Sequence, residues 1–224
     1  MKRHALCLFA AFASSPAFAG DPDLSSPSAA VRSYLAATKA NDVETAKKCW
    51  TIDETDGSGT LDVVVGMWIE TRKLVAATDA NFGADGLKLL GRWNRPACTD
   101  RAIDRTLERI ASAELREGRI AARLVVAWQA EDRATDPAFL CDFPFRLRRA
   151  GEQWKLDASV FGAGNAAPGT LGDSRSTSIG RDEMAIMKEL TAGLEKGQFK
   201  ELSEFERELK ACVEVLKAKY EKKE

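Results

Sequence analysis

The sequence predicts an α+β protein in which helices cover one face of an antiparallel sheet. Within residues 111–161, apolar side chains recur at every second position, which places them on one face of each strand. The segments before this region repeat apolar residues every three to four positions, as amphipathic helices do. Two more amphipathic segments follow it and predict a C-terminal helical hairpin.

The sheet region divides into four predicted strands, residues 111–116, 119–130, 139–149 and 154–161. Their alternating apolar positions form one buried face, made by Ile120, Ala122, Leu124, Val126, Trp128, Phe139, Cys141, Phe143, Phe145, Leu147, Trp154, Leu156, Ala158 and Val160. The opposite face carries charged side chains, among them Arg119, Arg123, Arg146, Arg148 and Lys155. One dry face and one wet face are typical of an antiparallel sheet.

Three helices are predicted before the sheet. The first opens at Pro27-Ser28 and ends at Asn41-Asp42, and Asp42 caps the second, residues 43–50. Residues 61–79 form the third, with Trp68 predicted in the core. Residues 81–95 contain several glycines and stay open between a short helix, a lid and a strand. Thr99-Asp100 predicts the start of a further charged helix over residues 101–108.

The clearest boundary in the chain is a stretch rich in Gly, Ala, Pro and Ser, residues 163–180, which is interpreted as a linker. It separates a domain of residues 25–162 from the hairpin, residues 181–224, whose helices are interrupted at Lys196-Gly197-Gln198. Each hairpin helix has one apolar stripe, and two helices alone make a poor core. The hairpin therefore docks on its own domain, pairs with a second copy, or meets a partner, and the pattern leaves these three open.

Residues 1–19 have the pattern of a cleaved secretory signal peptide. Lys2, Arg3 and His4 precede a short apolar run, and Ala17-Phe18-Ala19 forms an A-x-A site before Gly20. The run is too short to span a bilayer. We therefore expect an exported protein, periplasmic or secreted, without a membrane span.

Charge and histidine content exclude several classes of function. The chain has 33 basic and 34 acidic residues and no basic block, so nucleic acid is not an expected partner. Its single histidine, His4, lies in the predicted leader. Catalysis by Ser-His-Asp or Cys-His groups and metal sites built on histidine are therefore not expected. No motif predicts a cofactor.

Four cysteines remain after the leader: Cys49, Cys98, Cys141 and Cys212. In an exported protein they can form disulfides, with three full connectivities. Three of them occupy apolar positions of periodic segments, so they can equally be small buried hydrophobic residues. Their spacing predicts neither a metal site nor a redox site.

Residues 53–62 resemble an EF-hand calcium loop. With Gly59 at the sixth position, Asp56, Ser58 and Thr60 fall at the third, fifth and seventh. However, Glu54 stands at the first position, and Val65 replaces the bidentate Glu at the twelfth. A polar loop that uses Gly and Asp for its turns is the preferred interpretation, and no metal site is predicted.

Two stretches resemble the nuclear transport factor 2-like superfamily, which includes SnoaL-like polyketide cyclases and ketosteroid isomerases. The first comprises residues 26–37 with 40–46 and looks like the opening helices of that family. The second, residues 143–147 with 151–157, looks like its closing hairpin. The resemblance covers residues 25–162, with extra sequence between Asp79 and Arg109. It implies three N-terminal helices packed on a curved, cone-shaped antiparallel sheet.

In that family the cone encloses a pocket, and its enzymes place an acidic base there. A carboxyl group in an apolar pocket has a raised pKa that suits proton transfer beside a carbonyl. The corresponding candidates are Asp142 and Asp157, with Tyr34 as a donor, but both acids alternate with the apolar face and should point away from it. Residues expected to line the pocket are Tyr34, Trp68, Trp128, Phe143 and Trp154, which can equally fill it as core.

Two functions remain. The first is an exported, non-catalytic module that binds a small apolar ligand or a protein partner, and that can dimerise through its sheet or its C-terminal helices. The alternative is a SnoaL-like acid–base enzyme, of isomerase or cyclase type, acting on a small apolar carbonyl compound. The enzyme requires an acid inside the pocket, and no catalytic residue is assigned.

Overall fold

The computed structural model describes residues 20–51, 59–90, 99–126, 143–157 and 174–221. In chain order the elements are α1 (Pro27–Ala40), α2 (Val43–Lys48), α3 (Thr60–Leu90), α4 (Asp100–Arg109), a 3₁₀ turn (Ile110–Ser112), β1 (Glu114–Glu117), β2 (Ala121–Val126), β3 (Phe143–Ala150), β4 (Gln153–Leu156), α5 (Ser174–Glu195) and α6 (Leu202–Glu221). The α+β class is confirmed. Within the described ranges four α-helices precede the sheet: the three predicted at the N-terminal end and the further helix predicted after Thr99-Asp100.

The first helix begins and ends, and the second begins, where their capping residues predict, while α2 ends at Lys48 rather than at residue 50. Ser26 Oγ accepts a hydrogen bond from Ala29 N–H at 3.2 Å, and Pro27 occupies the first turn, where a missing N–H does no harm. Asn41 ends α1 in the left-handed region, with φ of 59°. Asp42 then caps α2 by accepting from Thr45 N–H at 3.0 Å, and this bond lowers the pKa of its carboxyl group.

Helix α3 is longer than the sequence pattern indicated. Residues 81–90, left open between helix, lid and strand, are helical. The helix is interrupted at Gly83, whose φ of 58° is one that glycine adopts without strain. The apolar residues beyond the break, Leu87 and Leu90, pack into a core with the hairpin. Trp68, expected in the core, is half-buried.

One buried cation connects three elements of the helical layer. Arg72, on α3, donates one guanidinium N–H to Asp100 at the start of α4 and another to the side chain of Asn41 at the end of α1. Its side chain is buried, whereas that of Asp100 is half exposed. Arg72 therefore orients α1 and α4 against α3 through charge-assisted bonds.

The four described strands form an antiparallel meander in the order β1-β2-β3-β4. The first two strands begin later than predicted because residues 110–112 form a 3₁₀ turn and residues 118–120 form the first hairpin turn. The predicted strand ends at 127–130, 139–142 and 158–161 lie outside the described residues. Ala122, Leu124, Phe145, Leu147, Trp154 and Leu156 lie buried on one face, as their alternation predicts. Ile120, expected on that face, is instead 66% exposed because it lies in the turn.

N-terminal segments extend the sheet beyond β4. Leu156 N–H donates to Cys49 O at 2.7 Å, and Thr51 N–H donates to Leu156 O at 2.9 Å, so the chain after α2 pairs with β4 in parallel. Trp154 N–H also donates to Leu24 O at 2.8 Å. The inner face of the sheet and the helices α1, α2 and α4, with the first part of α3, thereby enclose one hydrophobic core.

The hairpin docks on its own chain, which answers a question that the sequence left open. Helix α5 begins at Ser174, so residues 174–180, assigned to the linker, are helical. It lies so close to α3 that a Cβ added at Gly180 would collide with Val63, and one added at Gly66 with Met184. Leu74 and Val75 of α3 and Met187, Leu190 and Phe205 of the hairpin fill a second hydrophobic core.

Several expectations fall outside the described residues. They are the leader, residues 1–19; residues 53–58 of the calcium-like loop, whose residues 60–62 are described and begin α3; Cys98, Cys141, Trp128 and Asp142; and the greater part of the linker, residues 163–173. Cys49 and Cys212 are described, and both are free thiols. Burial raises the pKa of the Cys49 thiol to about 12. No helix in the described ranges combines the length and apolar character needed to cross a membrane.

Candidate functional site

The inner face of the sheet is packed with aromatic side chains. Tyr34, Trp50, Phe145 and Trp154 are each buried and belong to the same core as Leu24 and Leu124. The rings of Tyr34 and Trp50 meet edge to face, with centroids 5.4 Å apart. Edge-to-face contacts of this kind add to the stabilisation from burial. The described part of the inner face is therefore occupied by the protein's own side chains.

The five residues predicted to line a pocket are only partly brought together. Tyr34 and Trp154 share the inner core. Trp68 is half-buried on α3. Phe143 begins β3, in register with Val126, and Trp128 lies outside the described residues.

The acids considered for catalysis do not reach this interior. Asp157 follows β4, and its Oδ2 accepts from Arg148 Nη2 at 3.4 Å on the opposite face of the sheet. Asp142 lies outside the described residues. In the described ranges, the buried carboxylate is that of Glu70 on α3, which pairs with Lys73 at 2.9 Å. These positions give no support to an acid–base site inside the sheet.

The outer face of the sheet presents a row of arginines. The strand register places Arg116 of β1 opposite Arg123 of β2, and Arg123 opposite Arg146 of β3. All three side chains are exposed. Arg148 and Lys155 lie opposite each other one step along the same face. We call these five residues the basic face.

The side chains of Arg123 and Arg146, the pair formed between β2 and β3, lie especially close to each other. Gly118 N–H donates to Ala121 O at 2.8 Å, and Arg149 N–H donates to Ile120 O at 2.9 Å, which fixes the alternation of bonds along β2. In this alternation the backbone N–H and C=O of Arg123 point to β1, so Arg123 and Arg146 form a non-hydrogen-bonded pair. Opposed side chains lie closer together in such pairs than in hydrogen-bonded pairs. Like charges directly opposite each other destabilise a sheet. No ion pair with a described residue neutralises either guanidinium.

Among the described residues two carboxylates lie on the same face, that of Glu114 on β1 and that of Asp157, whose N–H donates to Arg146 O at 2.9 Å and which therefore lies opposite Arg146. Glu114 accepts from Arg116 Nε at 2.7 Å, and Asp157 pairs with Arg148. Arg123, which has an arginine opposite it on each neighbouring strand, is therefore the most positive part of the row. Alternation in the sequence identified Arg123 and Arg146 as outward, but only the register reveals that they stand side by side.

Arg123→Glu is expected to raise the free energy of unfolding by about 0.5–1 kcal/mol, because the new carboxylate would lie between Arg116 and Arg146. Urea denaturation compares this variant with Arg119→Glu, an equal charge change in the exposed hairpin turn. A loss of stability in Arg123→Glu, with no loss in the control, would show that the arginine row carries no repulsion.

In comparisons with protein-family models, curated proteins and solved structures, no match to this chain was found.

Proposed function

We propose that this chain is an exported, non-catalytic interaction module that docks an acidic segment of a partner protein on its basic face. The observation that carries the proposal is the exposed Arg116–Arg123–Arg146 row. Membership of the nuclear transport factor 2-like superfamily is part of the same proposal. It is supported by the order of elements, helices followed by an antiparallel meander.

The two faces of the sheet support binding from outside rather than inside. The inner face is covered by α1 and by the aromatic core, so a ligand there would have to displace buried side chains. The outer face exposes Arg116, Arg123, Arg146 and Arg148. Ligand binding on this side requires no rearrangement of the core.

Repulsion within the row favours a carboxylate-bearing partner. Two opposed arginines lower the stability of the free protein, and an anion between them removes that repulsion. Guanidinium groups also match carboxylates with two parallel hydrogen bonds, which gives geometric specificity. A binding surface that is electrostatically unfavourable until it is occupied is a common form of the conflict between stability and function.

Size and overall charge favour an acidic protein segment over a nucleic acid. Three neighbouring strands place the row across about 10 Å, a width suited to one extended segment. The chain as a whole has a net charge of −1, so it lacks the wide positive field that steers nucleic acid to a surface. Acidic residues at alternate positions of an extended peptide are about 7 Å apart and can meet neighbouring guanidinium groups.

Binding of fluorescently labelled poly-L-glutamate, measured by anisotropy, tests the proposed function. The variant Arg123→Gln/Arg146→Gln is expected to bind about 5- to 30-fold more weakly, since each exposed ion pair contributes about 0.5–1 kcal/mol. Added salt should weaken binding by the unmodified protein more than binding by the variant, because screening acts on the missing pairs.

The matched control is Arg101→Gln/Arg207→Gln, which removes the same charge from exposed positions on α4 and α6. It should bind as the unmodified protein does. Equal losses in both double variants would mean that only net charge matters. In that case, or if poly-L-glutamate does not bind at all, the basic face is not the docking surface.

A further inference from the structure

We propose that the free edge of β1 pairs with β1 of a second copy of this chain, around a twofold axis at Leu115, to form one continuous eight-stranded sheet. The pairing itself stands on the geometry of the edge. Its consequence, that two basic faces join on one side of the sheet, rests on the proposed function.

The first support is that β1 ends the described sheet with its outer edge open. It pairs with β2 on one side, and all four of its residues are exposed. The bond from Gly118 N–H to Ala121 O makes Gly118 a hydrogen-bonded position of the β1–β2 pair. Counting back, Arg116 and Glu114 also direct their backbone groups to β2, whereas those of Leu115 and Glu117 point to the open edge. Open edges of this kind are templates for strand addition.

The second support is that the edge is complementary to itself. In an antiparallel pair, residues opposite each other share a face. With the axis at Leu115, Glu114 lies opposite the partner's Arg116, and Arg116 lies opposite the partner's Glu114. In this register Leu115 lies opposite the partner's Leu115. Because the backbone N–H and C=O of Leu115 point to the open edge, the two residues exchange N–H···O=C hydrogen bonds. Shifting the axis to Arg116 would place two arginines opposite each other, so charge selects this register.

The third support is an exposed apolar side chain in line with the core. Leu115 lies opposite the fully buried Leu124, yet Leu115 is 41% exposed because no further strand covers it. Pairing would bring it against the partner's Leu115 on the inner side. Ala113, in extended conformation just before β1, leaves its carbonyl to accept from the N–H of the partner's Glu117. The inner layer and the outer charge pattern thus both continue across the axis.

The size of the contact predicts a weak dimer. An edge of about four residues buries less than the ~1,200 Å² of a standard stable interface, so a dissociation constant in the micromolar to millimolar range is expected. A partner with two acidic segments would contact both basic faces at once and would bind more tightly through effective concentration. The dimer would therefore be favoured by its ligand.

Sedimentation equilibrium of the full chain, from about 10 μM to about 1 mM, tests the pairing. Glu114→Arg and Arg116→Glu each set like charges against each other across the axis, and each should remain monomeric over this range. An equimolar mixture of the two variants should dimerise, because every opposed pair is then complementary. The double variant Glu114→Arg/Arg116→Glu should also dimerise, since it exchanges the two charges and restores the match.

Recovery of the dimer in the mixture would support this register even if a single variant proved less stable. A monomeric unmodified protein at 1 mM, or single variants that dimerise as the unmodified protein does, would overturn the proposal. Dimerisation abolished instead by Val215→Asp, on the exposed side of α6, would do the same. Poly-L-glutamate binding is measured at protein concentrations below the dissociation constant of the dimer, where the monomer predominates. Failure of the dimer and failure of the proposed function are thereby distinguished.

Discussion

Replacing Phe205 with alanine is expected to lower the free energy of unfolding by about 3–5 kcal/mol. Its ring is fully buried between the hairpin and α3, where it stacks on Phe82 at 5.7 Å and meets Phe199 edge to face at 5.6 Å. Alanine would leave a cavity lined by apolar side chains, because the helices on both sides are fixed by other contacts. Urea denaturation followed by circular dichroism measures the loss.

Val215→Ala is the control for this prediction. Val215 lies on the same helix but is 64% exposed, so its truncation should change stability by less than about 0.5 kcal/mol. Deleting residues 174–224 should abolish cooperative unfolding, since Leu74 and Val75 of α3 would then face water. A deletion variant that unfolds cooperatively, together with a Phe205→Ala variant of unchanged stability, would mean that the hairpin is an independent appendage.

Replacing Trp154 with alanine is also expected to lower the free energy of unfolding by about 3–5 kcal/mol. Its side chain is 4% exposed, lies on the inner face of β4, and belongs to the core shared by α1 and the sheet. The same tryptophan was a candidate for lining a pocket. If it lined an open cavity, its removal would enlarge the cavity at little cost to stability, so the measured loss separates core from pocket.

Gln153→Ala, one residue earlier on the same strand, is the matched control. The Gln153 side chain is exposed on the outer face, so its truncation should change the free energy of unfolding by less than about 0.5 kcal/mol. The free energy of unfolding of Trp154→Phe should lie between those of Trp154→Ala and Gln153→Ala, because a smaller aromatic ring preserves part of the packing. Equal stability of Trp154→Ala and Gln153→Ala would contradict the filled interior and would favour a ligand cavity.

Local signals in the sequence predicted those elements whose ends depend on neighbouring residues alone. Asp42 caps α2 and Gly197 terminates α5 with φ of 63°, because these residue types satisfy the backbone at helix ends wherever the helix later packs. The alternation in β2 predicted which of its side chains are buried. Helix and strand periods are properties of the chain itself.

Predictions from the sequence failed at segments whose conformation depends on packing against distant parts of the chain. The sequence left residues 81–95 open between a short helix, a lid and a strand, and residues up to Leu90 are helical beyond an interruption at Gly83. At Gly86 the Cβ of Phe82 and the Cγ2 of Thr78 come within 3.0 Å of where a side chain would begin, so glycine allows close packing. The seven residues 174–180 looked like linker because small residues dominate them. Gly180 instead lets α5 approach Val63.

By itself, therefore, the sequence determined the α+β class, the wet and dry faces of the sheet, and the identity of the outward arginines. Tertiary structure alone decided that the hairpin completes a core on α3 and that Arg116, Arg123 and Arg146 stand in one row. The physical reason is that side-chain alternation depends on one strand, whereas register depends on pairing between strands distant in sequence. The proposed site arises from register, so it could not be predicted from periodicity.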